Sequence, residues 1–389
     1  MKKWFNKLEG DRTIWMVTFF LCLISLLAVY SAISTLAYKA HGNNLRFLLK
    51  HGFMLMGGIF IMYYVHKLPF RYFSKFSSIL IYVAAGLLIY ALAFGTHFNG
   101  AGRWIAIPLT GLTFQPSDFA KIVLVIYVAR VLRQKREQLQ DFRQGVIPVV
   151  IPVAIICGLI LPANFSTAAM LAMICVLMMY LGGVPLRHIG KLAAAGAAVV
   201  VCIVIVGETT NLLGRYETWK NRVLSTGTVD PNEDYQILLA QNAIYEGGVL
   251  PHGPGTGSSR NSMPHPYSDM IYPFIIEEYG SVIGGAGLVL LYLILLLRAI
   301  RISKENEKLT AQLAALGLAF MLTIQAFINM AVAVSLLPTT GQPLPLVSLG
   351  GTSTLFTCLS IGIILSVGRS KAETEEQELK EEKTPMALA

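Results

Sequence analysis

Charge is scarce in this chain. Asp, Glu, Lys and Arg make up only 14% of its 389 residues, against about a quarter in an ordinary soluble domain. Missing as well are a Walker A motif, an internal repeat and any polar segment that forms a nucleotide-holding domain, which excludes an ATP-driven machine. The five cysteines, Cys22, Cys157, Cys175, Cys202 and Cys358, all lie in apolar runs, with no CxxC and no histidine at metal-ligand spacing. That pattern excludes a disulfide framework and a zinc site and leaves small packing residues.

What the chain has in place of charge is apolar length. Hydrophobic residues make up 54% of it and its mean hydropathy is +0.60. Ten runs are long enough to cross a hydrocarbon layer of ~30 Å: 13–36, 46–65, 74–94, 114–132, 146–162, 166–183, 189–207, 270–298, 309–336 and 347–367. The expected fold class is therefore an all-α polytopic membrane protein. It has a short N-terminal segment 1–12, a membrane domain 13–368 with a long outer loop 208–268 between spans seven and eight, and a disordered polar tail 369–389. The first run exceeds a signal-peptide core and reads as a retained span.

Ten spans put both termini on one side. With that side inside, most of the 31 Lys and Arg residues fall in inner segments, which places the termini in the cytoplasm by the positive-inside rule. The net charge of +9 is then a topology signal, with no nucleic acid implied.

Several polar groups stand out against this background. In "FQPSDFAK", Pro116 and Ser117 suit a helix start, and Asp118 and Lys121 share one face three residues apart. They either neutralise each other, or Asp118 holds Lys121 toward a phosphate-bearing lipid. In "NGAGRWIAIPLTG", Trp104 suits an interfacial anchor and Arg103 suits a diphosphate. Asn164, Ser166 and Thr167, in a short outer turn, fit helix capping as well as a site. His252 and His265 lack a third metal ligand at diagnostic spacing.

The stretch "SDMIYPFIIEEYG" delivers Asp269 to the mouth of a span and then carries Glu277 and Glu278 about two turns in. Adjacent helical residues point ~100° apart, so the glutamates do not both share a face with Asp269, and at least one is structural. An ionised carboxylate there needs partners or a task. "LLPTTGQPLPLVSLGGTS", with Ser348, is irregular backbone at membrane depth, which requires burial or a cavity and also occurs in transporters.

With "GAGRWI", "FQPSDFAK", "YQILLAQNAIYEGGVLPHGPGTG", "SDMIYPFIIEEYG" and "PLPLVSLGGTS" in this order, the sequence resembles the SEDS (shape, elongation, division and sporulation) family of bacterial cell-wall proteins, the family of FtsW and RodA. The resemblance covers nearly the whole chain apart from its ends. It implies a ten-span fold and a peptidoglycan glycosyltransferase that polymerises lipid II beside a class B penicillin-binding protein and other division proteins. The family's essential carboxylate matches Asp269, and its span-four lysine matches Lys121. Asp118 stands where the family has Glu, and Ala163 to Thr167 depart from its Pro-Asp-x-Gly-Thr turn, so no acid role carries over to Asn164. "LLPTTG" resembles the division branch more than the elongation branch, which implies the septal cytoplasmic membrane.

On that resemblance Asp269 is the expected general base at the outer surface. Arg103, Lys121, Arg215 and Arg260 are the expected cations for a lipid diphosphate, with a divalent ion, Mg2+ or Mn2+, as a further candidate. Gln115 and Ser348 are further substrate-binding candidates, and Asp118, Glu277 and Glu278 are supporting residues. A lipid II flippase, an elongation-type polymerase and an inactive scaffold are the rival readings.

Overall fold

The computed structural model describes residues 10–39, 44–98, 101–107, 112–209, 220, 231–259, 262–263 and 266–383. In chain order its helices are α1 (Arg12–Lys39), α2 (Asn44–Val65), α3 (Phe70–Phe94), α4 (Pro116–Gln134), α5 (Ile147–Ile160), α6 (Phe165–Leu181), α7 (Leu186–Thr209), α8 (Pro231–Gly247), α9 (Ile271–Tyr279), α10 (Gly287–Glu305), α11 (Leu309–Ala333) and α12 (Gly351–Lys383). Among the described residues, eight helices are long and apolar enough to cross a membrane. The other two expected spans fall on α6, an apolar helix of 17 residues, and on α4, which carries Asp118, Lys121, Arg130 and Arg133.

The bundle is built around α11, whose residues are buried along most of its length, from Thr310 to Ala333. Small residues bring other helices close. A Cβ on Gly58 of α2 would lie 2.6 Å from Cys358 Sγ of α12, and one on Gly362 would lie 3.1 Å from Met62. Glycines at such crossings let backbones approach where no water drives association. At the other extreme, α7 buries only His188.

Two segments add to the sequence reading. The connection after α3 folds into a three-stranded antiparallel meander, β1 (Thr96–Phe98), β2 (Ala101–Ile107) and β3 (Leu112–Phe114), in the order β1-β2-β3. It pairs Thr96 with Trp104 and Ile105 with Phe114, and it is fixed to the bundle where Thr352 Oγ1 donates to the Thr113 carbonyl at 3.0 Å. The helix α12 is described to Lys383, running past residue 369, where the sequence reading begins the polar tail. Its Glu, Lys, Gln and Leu residues are strong helix formers, and an upstream helix supplies the nucleus that an isolated tail lacks.

Span eight also departs from a plain helix. It is interrupted by a π-helical segment at Gly280–Ala286 between α9 and α10. Gly280 has φ +73°, and a Cβ there would lie 2.6 Å from the Val249 carbonyl oxygen. Only glycine accepts that backbone at that distance. The break lets the loop after α8 dock, with Ser281 N donating to the Gly248 carbonyl at 3.0 Å.

Candidate active site at the mouth of span eight

The irregular segment 342–349 joins α11 to α12 and is held by side chains from several helices. Asn329 Nδ2 donates to the Gln342 carbonyl at 2.8 Å, Gln325 Nε2 to that of Pro343 at 3.0 Å, and Tyr292 OH to that of Pro345. Ser25 Oγ donates to the Val347 carbonyl at 2.8 Å. These partners replace the ladder that such backbone lacks in hydrocarbon. They also hold Leu346, a buried residue, at φ +64°, a conformation that persists only where its surroundings over-determine it.

The segment in turn fixes the turn ahead of α9. Leu349 N donates to the Tyr267 carbonyl at 2.8 Å, Ser348 Oγ to that of Ser268 at 2.6 Å, and Asn329 Nδ2 to that of Asp269 at 2.7 Å. Three consecutive carbonyls are thus clamped, and the Asp269 side chain stands half-buried at the helix mouth. Burial, followed by the adjacent Asp269 carboxylate, raises the pKa of the Tyr267 phenol, which keeps it neutral beside that charge.

A second chain of polar groups reaches the same segment. Asp118, in the first turn of α4 behind Pro116, pairs with Lys121 at 2.9 Å. Lys121 Nζ donates to Gln325 Oε1 at 3.2 Å, and Gln325 passes the link to Pro343. Both charged residues are buried. They line a cavity of about 20 Å³ with Gln325, Ser348 and Thr354, room for about one water. The ammonium is therefore spent on Asp118 and Gln325 in this state.

Glu277 and Glu278 belong elsewhere. Glu277 Oε1 accepts from Ser258 N at 2.6 Å and Ser259 N at 3.0 Å, while its Oε2 accepts from Ser259 Oγ. Glu278 Oε1 accepts from Gly255 N at 2.8 Å and from Ser31 Oγ at 2.5 Å. Both carboxylates are buried and their described partners are backbone amides and hydroxyls, so each acts as a peg for the loop 253–259. The sequence expected at least one to be structural; the described contacts tie both to neighbouring backbone and hydroxyls.

The remaining candidates are scattered. Gln115 bonds to Ser117 Oγ at 2.9 Å and lines a different small cavity with Asn164. Asn164 is a helix cap, its Oδ1 accepting from Thr167 N at 3.1 Å. Arg103 lies on β2 beside a half-buried Trp104. Arg215, Arg260 and His265 lie outside the described residues. Among the described residues no group of three His, Cys, Asp or Glu side chains is arranged to hold a metal ion.

Sequence reasoning missed Ser25, His51, Tyr292, Gln325, Asn329 and Gln342. A signal existed for two of them: Gln325 and Asn329 interrupt the apolar run "TIQAFINMAV" four residues apart and so share a helix face.

The chain is similar to known proteins along nearly its whole length. The chain is 28% identical over 364 residues to the probable peptidoglycan glycosyltransferase FtsW of Geobacter sulfurreducens, covering 92% of this chain and 94% of that protein. It is 28% identical over 377 residues to the stage V sporulation protein E of Bacillus subtilis, covering 94% and 98%. A chain from a solved peptidoglycan synthase complex superposes with a TM-score of 0.73 at 24% identity, over 94% of this chain and 99% of that one, which is likeness of fold. The family model described as cell cycle protein, of FtsW, RodA and SpoVE, matches residues 11–373, and the chain belongs to that family.

Proposed function

We propose that this chain is a peptidoglycan glycosyltransferase that polymerises lipid II at the outer face of the cytoplasmic membrane, with Asp269 as general base. The observation that carries the reading is the clamp. Three successive carbonyls at 267–269 are tied to a buried loop, while the Asp269 side chain remains half-buried at the mouth of a span. Fixed geometry at the reacting group is what an enzyme needs and what a scaffold has no use for.

In the proposed step the Asp269 carboxylate takes the proton of a sugar 4-hydroxyl as that oxygen attacks the anomeric carbon of a second lipid-linked sugar. The new glycosidic C–O bond forms while the bond to the diphosphate breaks, and the electron pair leaves with the lipid diphosphate. General-base help of this kind is worth roughly 10²–10⁴ in rate. The growing negative charge is assigned to Arg103, Arg215 and Arg260 from the outer segments, and to Lys121 once its small cavity widens. Gln115 has no place in the proposed step, and Ser348 acts by holding the Ser268 carbonyl. A divalent ion, Mg2+ or Mn2+, stays within the proposal as a further counter-charge for the diphosphate, and no step is routed through one.

The ten-span topology, the cytoplasmic termini and a septal location belong to the same proposal, as does work beside a class B penicillin-binding protein. They are supported by the charge asymmetry of the sequence and by family membership. The test uses purified protein and lipid II in detergent, where there is no membrane to cross. Glycan strands support the enzyme. Failure to make strands even with the class B partner present, together with lipid II transfer in vesicles, favours the flippase.

A further inference from the structure

Two buried amides beside the clamp have polar atoms that the fold does not use. Asn329 is 2% exposed and Gln342 is 3% exposed. Asn329 Nδ2 gives its two protons to the carbonyls of Asp269 and Gln342, at 2.7 and 2.8 Å. Its own Oδ1, and both Nε2 and Oε1 of Gln342, meet no hydrogen-bond partner among the described residues. One unmet oxygen in a buried corner is an ordinary cost of packing. Two donor protons and two acceptors on two residues joined by one hydrogen bond, the first of them bonded to the Asp269 carbonyl, are a larger departure, because each unpartnered buried group forfeits the hydrogen bonds it had in water. An apolar side chain of similar shape would serve the core better at 342, whose backbone already sits in the clamped segment.

We propose that Gln342 and Asn329 form a seat for a polar group of the substrate, an amide or hydroxyl on the lipid-linked disaccharide. An amide offers a donor and an acceptor at fixed separation, so it pairs in kind with a substrate acetamido group and also accepts a sugar hydroxyl. The seat rests on the glycosyltransferase reading for its ligand, and it adds a contact to the sugar where the mechanism above had contacts only to the diphosphate and the attacking hydroxyl. Its cost to the free protein is recovered when the ligand enters, the usual relation between a binding site and the stability of its fold.

The test measures thermal stability and binding of two probes, lipid II and a polyprenyl diphosphate without sugars, for the full-length parent and for Gln342→Leu and Gln342→Met. The expected result is a Tm equal to or above that of the parent in at least one variant, with lipid II bound about tenfold more weakly, the loss of one hydrogen-bonded contact, and the sugar-free diphosphate bound as before. Unchanged lipid II affinity with a raised Tm would overturn the seat, since the amide would then be an unmet group or a water ligand only. Equal weakening for both probes, or a lower Tm in both variants, would overturn it as well. A parent that binds lipid II in this pattern yet makes no glycan would leave the seat standing and remove the glycosyltransferase reading.

Discussion

Asp269 and the pair Glu277–Glu278 lie within one turn-and-helix of each other, and the structure treats them in opposite ways. The glutamates are buried with their oxygens taking protons from Gly255, Ser258, Ser259 and Ser31. At Asp269 the structure takes hold of the backbone, through the carbonyls of 267 to 269, and leaves the side chain half-buried. A carboxylate whose oxygens take backbone and hydroxyl donors serves as a peg that holds the loop 253–259. Asp269 is positioned through its main chain, and the general-base role proposed for it rests on that positioning. Depth in the membrane and sequence proximity say little here; the described contacts hold the glutamates by their side chains and the 267–269 turn by its carbonyls.

The contrast is broken most sharply by removing charge without changing shape. Asp269→Asn is expected to lower turnover by roughly 10²–10⁴ with Tm unchanged, read from strand formation and thermal unfolding on the same preparation. Glu277→Ala is expected to do the reverse. It leaves the amides of Ser258 and Ser259 unmet, at about 1–3 kcal/mol each, so a stability loss of about 3 kcal/mol should appear in denaturant unfolding, and any loss of rate should follow the loss of folded protein.

Much of this was legible in the sequence, and the limits have physical causes. Runs of apolar residues located the spans because a hydrocarbon layer imposes length on any helix that crosses it. Asp269 and the Asp118–Lys121 pair stood out because charge is expensive there. The partners of the glutamates did not, because Ser258 and Ser259 lie in a Gly- and Pro-rich stretch whose path no periodicity encodes. The clamp was hidden for the same reason. Ser25 lies more than 300 residues from Val347, and nothing local in either segment announces the pairing. The meander after α3 read as loop because its strands are three to seven residues long and interleaved with glycine.

A smaller effect separates pairing from phosphate binding at Lys121. Either Lys121→Met or Asp118→Asn breaks a buried pair and is expected to cost about 3 kcal/mol, since the charge left behind has lost its ion-pair partner. The double variant removes both charges and is expected to recover most of that stability, seen as a coupling energy in a double-mutant cycle. If turnover recovers with it, Lys121 serves the fold alone. If stability recovers and turnover does not, the ammonium also meets the lipid diphosphate.

The smallest expected change lies farthest from the chemistry. The Ser25 hydroxyl has one proton and gives it to Val347, so His51 Nε2, 2.8 Å away, is the donor in that contact. Ser25→Ala removes both hydrogen bonds and is expected to cost about 2 kcal/mol. Turnover should fall only a few-fold, measured as kcat at saturating lipid II, because three other carbonyls of the segment remain held.

The most direct test of the central claim separates binding from turnover at Asp269. Purified parent and Asp269→Asn are given lipid II in detergent with the class B partner present, and both the Kd for lipid II and the yield of glycan strands are measured. The account predicts equal Kd values and equal Tm, with strands from the parent and a yield at least a hundredfold lower from the variant. Strands at parental rates from folded Asp269→Asn would contradict it.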